Sequence, residues 1–399
     1  MSLLDALPTP RLRWEGQRPN VVLLSLSLIM LIVLWTLDAV SIAPNRIVAG
    51  TGYGALEALG WPGTLLATLL LLSLVIFSWQ PSLQHYRAQL AAVIVLMALM
   101  PLGLITSRYL LIDPALPQAR ITIGPAYWIV LFVLLLCLVE IRLRLTLNRF
   151  WPALLLTSVA LVWWLCAALW LDNLALVQEF RARDRQFLSA IGQHIKLVSI
   201  AVGVSLVMGF SLAMLMRRYA RFQRGTFAVL NFLQTIPSLA LFGLLLAPLA
   251  WLATNLPFLA QWGVSGIGTT PALIALITYS LLPIVRNTYI ALEEVSPSTL
   301  EAAKGMGMRS GQRFWQVRLP LALPVLLEGV RITTVQAIGL TAVAALIGAG
   351  GLGTFIFQGL GQAAMDMVLL GALPILIMAL VVDAGLGALA EALRPGGNQ

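Results

Sequence analysis

The sequence predicts an all-α integral membrane protein with about ten transmembrane helices, and three observations lead there. Of its 399 residues, 60% are hydrophobic and only 10% are charged, whereas a soluble domain holds about 25% charged residues. The few charges are unevenly spread: residues 225–285 and 332–365 contain no Asp, Glu, Lys or Arg. The apolar runs also recur at the length a bilayer demands, since about 20 residues of helix cross the hydrocarbon. Leu197 to Met216, bracketed by Lys196 and Arg217, is one such run. Only segments that satisfy their backbone polar groups internally can cross hydrocarbon, so these runs read as helices.

In chain order the predicted spans are Val21–Leu37, Gly63–Trp79, Leu90–Ile105, Ile123–Val139, Trp151–Leu171, Leu197–Met216, Thr226–Leu252, Thr270–Val285, Leu321–Ile347 and Met367–Val382. Several are short and must draw on flanking residues. The first is too long for a signal-peptide core, and Pro44 follows the one small-residue cleavage candidate at Ala43, so it reads as a retained span. Trp61, Trp79, Trp128, Trp151, Trp163, Trp164 and Trp170 fall where interfacial or helix-packing aromatics belong. Cys137 and Cys166 lie within the fourth and fifth spans without metal-ligand spacing, so they read as packing residues and no metal site is expected.

The longest charged stretch outside the spans, 172–194, marks the domain boundary. The expected organisation is a five-span membrane region over 1–172 that reads as scaffold, a periplasmic linker over 173–195, a second five-span region over 196–392, and a cytosolic tail over 393–399. With the N-terminus inside, the inward segments hold seventeen Lys and Arg, among them Arg11, Arg13, Arg142, Arg144 and Arg149, and the outward segments hold seven. Arg331 falls just inside the ninth span. By the positive-inside bias both termini are cytosolic. Those membrane ends also account for the net charge of +9, so no nucleic-acid partner is expected. With only His85 and His194 in the chain, no hydrolytic triad suggests itself.

The most organised cytosolic stretch lies between the eighth and ninth spans. Ser296 before Pro297 suggests an N-cap with Pro at the first helical position. Leu300, Ala303 and Lys304 would share a face, and Glu301 and Lys304 have the spacing of an i,i+3 pair. Gly305 and Gly307 would end the helix, glycine alone entering a left-handed conformation freely. Ser310 would cap a second short helix, Gly311 to Arg318, and Pro320 would lead into the next span. Ala302 and Ala303 permit close approach by a socket, rimmed by Arg309, Arg313 and Arg318.

Glu301-Ala302-Ala303, three residues, Gly307, nine residues, then Val317-Arg318-Leu319-Pro320 is similar to the EAA loop of ABC-importer permeases, with Val317 where Ile is commoner. The resemblance implies a type I ABC-importer permease core in the C-terminal half. It also implies a loop that seats in separate ABC ATPase subunits, which would bind and use ATP; the sequence has no Gly-x-x-x-x-Gly-Lys-[Ser/Thr] and no cofactor of its own is expected. Gln234–Leu249, Leu282–Tyr289 and Leu346–Phe357 resemble permeases of osmoprotectant importers, which carry glycine betaine, choline or related quaternary amines. The extra five spans resemble the long-permease version found in Yeh-type betaine systems. The partners so implied are the ATPase pair, a periplasmic or lipid-anchored substrate-binding protein and a second permease, identical or different, in the lipid of a bacterial inner membrane.

Uncharged polar residues at membrane depth mark a candidate translocation path: Gln234, Thr235, Ser238, Tyr279, Thr333, Gln336 and Thr341, with Pro237 breaking a helix and freeing carbonyls. Each polar side chain could equally join helices. Glu328 and Arg331 have i,i+3 spacing near the inner end of the ninth span, and Asp366 and Asp383 flank the tenth. A proton relay would need such groups mid-span. Five spans per half also fits an inverted-repeat carrier driven by an ion gradient, although the halves show no self-similarity, and a structural or sensory subunit without flux is a third reading. Gly348, Gly350 and Gly353 match G-x-G-x-x-G, but no strand precedes them, so a turn or close helix packing is expected.

Overall fold

The computed structural model describes residues 18–46, 48–116, 118–147 and 150–394. Arg11, Arg13, Arg149 and residues 395–399 of the expected tail lie outside them. The chain divides into two compact units, Met1–Arg181 and Ala182–Gln399.

The first unit contains α1 (Val21–Thr36), β1 (Val40–Ala43), β2 (Thr51–Tyr53), α2 (Ala55–Trp79), α3 (Leu83–Leu111), β3 (Arg120–Ile123), α4 (Pro125–Leu145), α5 (Phe150–Leu169) and α6 (Ala175–Ala182). Asn20 caps α1, its Oδ1 accepting from the Leu23 N–H at 3.1 Å. The core is aliphatic, with Met30, Leu71, Leu104, Leu134 and Ile141 fully buried.

The three strands are a feature the sequence reading missed. They form an antiparallel sheet in the order β2-β1-β3, with Val40 opposite both Tyr53 and Ile123. Beside the sheet, buried Glu179 joins the guanidinium groups of Arg46 at 2.9 Å and Arg120 at 2.8 Å. The fourth span therefore begins later than expected, with Ile123 in β3 and Pro125 as the first residue of α4. Gly124 between them is obligatory, because any side chain there would run into the Asp38–Ala39 backbone.

The second unit contains α7 (Asp184–Arg218), α8 (Ala220–Thr235), α9 (Ser238–Asn255), α10 (Pro257–Gln261), α11 (Thr269–Glu293), α12 (Pro297–Gly305), α13 (Ser310–Gln312), α14 (Leu319–Ala344), α15 (Gly353–Gly361) and α16 (Met365–Ala392). Helix α11 packs against α7 and α14, and α14 packs against α16. Most of the segment expected as a linker is helical, forming α6 and the first turns of α7.

Among the described residues, nine helices are long and apolar enough to cross a membrane, and α1 is a shorter apolar helix of 16 residues. The expected span Thr226–Leu252 is not one helix. It breaks at Ile236–Pro237, because a residue before proline is driven out of the helical region, and Ile236 is extended at φ −71°, ψ 123°. Only α9 retains spanning length.

Prolines within the spans leave carbonyls without their helical donor, and side chains of neighbouring helices supply it. Pro101 in α3 frees Met97, whose carbonyl accepts from the Trp163 indole N–H at 3.1 Å. At the Gly60–Pro62 break in α2, the Ala58 carbonyl accepts from the Ser107 hydroxyl at 2.8 Å. Each bond ties a helix to its neighbour at the point where the ladder is interrupted.

Candidate functional site

The loop between α11 and α14 is built on a completed helix C-terminus. Gly307 is left-handed at φ +80°. Its N–H reaches the Lys304 carbonyl at 3.0 Å, and the Met308 N–H reaches the Ala303 carbonyl at 3.2 Å. Those two bonds constitute a Schellman motif. Gly305 is the last helical residue, and Gly307 alone supplies the left-handed turn.

Three local expectations are corrected. Ser296 precedes Pro297 as expected, but its hydroxyl pairs with that of Ser298 at 2.6 Å and does not cap the helix. Arg309, not Ser310, is the N-cap of α13, because the Gln312 side chain accepts from the Arg309 N–H at 2.8 Å and fixes the chain one residue earlier. Glu301 and Lys304 form no ion pair among the described residues; both point outward from an exposed helix, where such pairs contribute little.

The largest difference is at Pro320. It does not follow a break: Ser310–Ile347 is one continuous helix of 38 residues. Pro320 cannot donate to the Gln316 carbonyl, and its ring would crowd it. A π-helical turn, Arg313–Arg318, widens the helix there, with the Leu319 N–H bonded five residues back to Phe314. The loop is thus joined to the ninth span by unbroken helix.

Burial sorts the motif residues. Ala303 is buried, while Glu301, Ala302, Gly307 and Pro320 are exposed and Val317 and Leu319 are half-buried. Leu300 and Phe314 pack onto a cluster of Ala291, Leu292, Val295 and Ala322, seating the loop on the end of α11 and the start of α14. Facing outward are Met306, 75% exposed, and Trp315, 63% exposed. The sequence offers Trp315, with Phe314 and Val317, on the second short helix; it does not mark Met306, although methionine between two glycines is a legible sign of an apolar tip. Ala302, Met306 and Trp315 are thus apolar side chains that the loop leaves exposed.

The candidate path residues do not line one surface. Gln234 donates to the Tyr279 carbonyl at 3.0 Å, the carbonyl whose helical donor Pro283 removes. The Tyr279 hydroxyl in turn donates to the Ile236 carbonyl at the α8–α9 break. These two side chains therefore fasten the broken helix to α11. Thr333 and Thr341 are buried, each donating to its own helix at the Gly329 and Ala337 carbonyls at 2.8 and 2.7 Å. Thr235 does the same to Phe232 at 2.7 Å but is exposed, as are Pro237 and Gln336, and Ser238 is half-buried.

In the N-terminal half of α14, Arg331 binds Glu328 at 3.2 Å, the expected i,i+3 pair. It also makes a bidentate pair with Asp383 of α16, at 2.6 and 2.8 Å. The glycine run after Ile347 is a turn and a close contact. Gly348, Gly350 and Gly351 all have φ near +80°, and a side chain at Gly353 would run into the Ala342 carbonyl.

Residues 205–395 match the family of binding-protein-dependent transport system inner membrane components. Residues 17–177 match the N-terminal domain of the ABC transporter permease YehY. The osmoprotectant import permease protein OsmW of Salmonella typhimurium is 42% identical over 205 residues, covering 51% of this chain and 90% of that one. The carnitine transport permease protein OpuCB of Listeria monocytogenes is 37% identical over 221 residues, covering 55% and 94%. The choline transport system permease protein OpuBB of Bacillus subtilis is 35% identical over 224 residues, covering 56% and 96%. None of these three relatives is named as an ion-gradient carrier.

Proposed function

This chain belongs to the inner-membrane permeases of binding-protein-dependent ABC importers, in the branch whose named members carry osmoprotectants, and from that premise we propose how it works. It moves a small quaternary ammonium osmoprotectant, such as glycine betaine or choline, inward across a bacterial inner membrane with both termini in the cytosol. A pair of ABC ATPase subunits seats the Glu301–Pro320 loop and binds and hydrolyses the ATP. A substrate-binding protein delivers cargo at the outer face, and a second permease, the same or different, completes the path. The names of the relatives support the substrate class.

The observation that carries the coupling reading is the loop itself. Its Schellman-terminated helix holds Ala302 and Met306 outward, and Trp315 stands on the same unbroken helix as the ninth span. ATP can shift an inward–outward equilibrium only through contacts that differ between the two states, and this knob is placed to make them. The candidate path is narrower than the sequence suggested. Gln234 and Tyr279 act as helix fasteners, which leaves Ser238 and Gln336 as the polar groups still available to a passing cation.

The test is reconstitution of the chain with its ATPase in liposomes, ATP on the loop side, and binding protein with labelled betaine or choline on the other. Uptake that requires ATP and the binding protein is expected. Uptake driven by a sodium or proton gradient without ATPase would refute the reading.

A further inference from the structure

The first unit holds a cavity that transport coupling does not use. It lies among α1, α2, α3 and α4, has a volume of about 230 Å³, and runs along α2 from Leu59 to Leu71. At 1.5 Å per helical residue that is roughly 18 Å, comparable to one leaflet of a ~30 Å hydrocarbon core.

The hollow is written into the sequence twice. Gly60, at φ +66°, and Pro62 bend α2 near its start. Small residues, Ala39, Gly63, Ala67, Gly103 and Ala126, then line the space.

The lining determines what can fill it. None of the lining residues is charged. The two hydroxyls are already engaged, Thr106 donating to Leu102 at 3.0 Å and Tyr127 to Met100 at 3.3 Å. With both donors spent, the lining offers water at most the two hydroxyl oxygens as acceptors, the low end of the two to four polar partners a buried water needs. A quaternary ammonium ion needs a counter-charge or an aromatic cage, and Tyr127 is the one aromatic ring in the lining.

What remains is hydrocarbon. The walls grade from buried residues such as Leu71, Leu96 and Leu134 to Leu66 and Leu102, which are 48% and 45% exposed. The cavity therefore opens sideways beside Leu66 of α2 and Leu102 of α3, on a face that lies in the bilayer. We propose that it is a binding site for one acyl chain of a membrane phospholipid. An acyl chain supplies the dispersion contacts that the empty lining forfeits.

The experiment reconstitutes the full chain in nanodiscs with phosphatidylethanolamine carrying a diazirine near the acyl terminus, then maps cross-links by mass spectrometry. Label on buried Leu71, Leu96 and Leu134 is expected, in addition to label on outward residues such as Ile76 and Trp164. Ala67→Trp, which fills the cavity, should abolish the inner label and leave the outer label unchanged. Label confined to the outward residues of the unsubstituted chain would overturn the proposal whatever the variant does. So would inner label from a diazirine free fatty acid but none from the phospholipid.

Discussion

Gly307 offers a graded test of the coupling loop. It is left-handed at φ +80°, where a Cβ crowds the following carbonyl and costs about 1–2 kcal/mol. Nothing in the chain lies within 4 Å of a Cβ built at Gly307, so within the chain the cost is conformational alone. Asparagine visits this region far more readily than alanine, and a β-branched residue is a true outlier there. A strain of ~1–2 kcal/mol lowers the formed-to-unformed ratio of the turn by a factor of roughly 5–30. Gly307→Ala should therefore weaken ATPase binding by up to about 5–30-fold, with Gly307→Asn weaker in effect and Gly307→Val stronger. The assay is ATPase affinity for the nanodisc-embedded permease, with coupled uptake per ATP in liposomes as the functional readout. Thermal stability of the isolated chain should fall by no more than that strain, because Gly307 is exposed and its replacement disturbs no packing. If damage instead follows side-chain size, with Asn worse than Ala, a partner atom occupies that space and the conformational account is wrong. Normal coupling in all three variants would remove the loop as the coupler.

Three other outcomes are expected. Gln234→Leu leaves the proline-freed Tyr279 carbonyl unpaired, a loss of about 1–3 kcal/mol that lowers the Tm in detergent. Adding Pro283→Ala restores a backbone N–H at that carbonyl, so the double variant should melt above the single one; simple additivity would refute the fastening role. Asp383→Asn weakens the charge-assisted bidentate hold on Arg331 by about 1.5–3 kcal/mol, whereas a Tm shift within the range of an exposed pair, under ~1 kcal/mol, would show that the pair is incidental. Single cysteines at Met306 and Val48, both exposed, should react with an impermeant thiol reagent from the cytosolic and outer sides respectively. Cys137 and Cys166 are buried and should add little background, and labelling of both sites from one side would overturn the orientation.

The sequence was most legible where one force dominates. Bilayer thickness and backbone satisfaction made the spans readable, and charge depletion located them even where helix ends shifted by several residues. Pro237 was readable as a break because the constraint on Ile236 is local, yet Thr226–Leu252 was still taken as one span, since hydropathy does not register backbone geometry. The strands Val40–Ala43 and Arg120–Ile123 escaped notice although Val-Ser-Ile-Ala and Arg-Ile-Thr-Ile alternate in the period of a strand. Of the two strand pairings, β1 with β3 forms only in tertiary structure, and each strand alone is three or four residues long. The roles of the candidate path residues are hard to read from sequence for a related reason. A polar side chain at membrane depth lines a conduit or repairs a helix, and the choice depends on which carbonyl a distant proline has freed. Gln234 and Pro283 are far apart in the chain, so only their juxtaposition decides it.

The unbroken helix from Ser310 to Ile347 changes what coupling requires. Were the loop separated from the ninth span by a flexible joint at Pro320, ATPase motion would dissipate there. Instead, the joint is helical, and its compliance is confined to the π-helical turn at Arg313–Arg318 and the missing donors of Pro320 and Pro324, the kind of interruption at which helices bend. Beyond that zone α14 is held on two sides. Arg331 binds Asp383 of α16, and the Ile338 carbonyl accepts from the buried His194 imidazole of α7 at 3.1 Å. A push on Trp315 under the proposed function therefore has two outlets: bending between Arg313 and Pro324, or a tilt of α14 that carries α16 with it. Bending draws on a zone already short of hydrogen bonds, whereas a tilt of α14 keeps the bidentate Arg331–Asp383 pair only if α16 moves with it, so whatever part of the push passes Pro324 is shared by both helices. Under the proposed function, the loop's purchase on transport thus depends as much on the α14–α16 pair as on the motif itself.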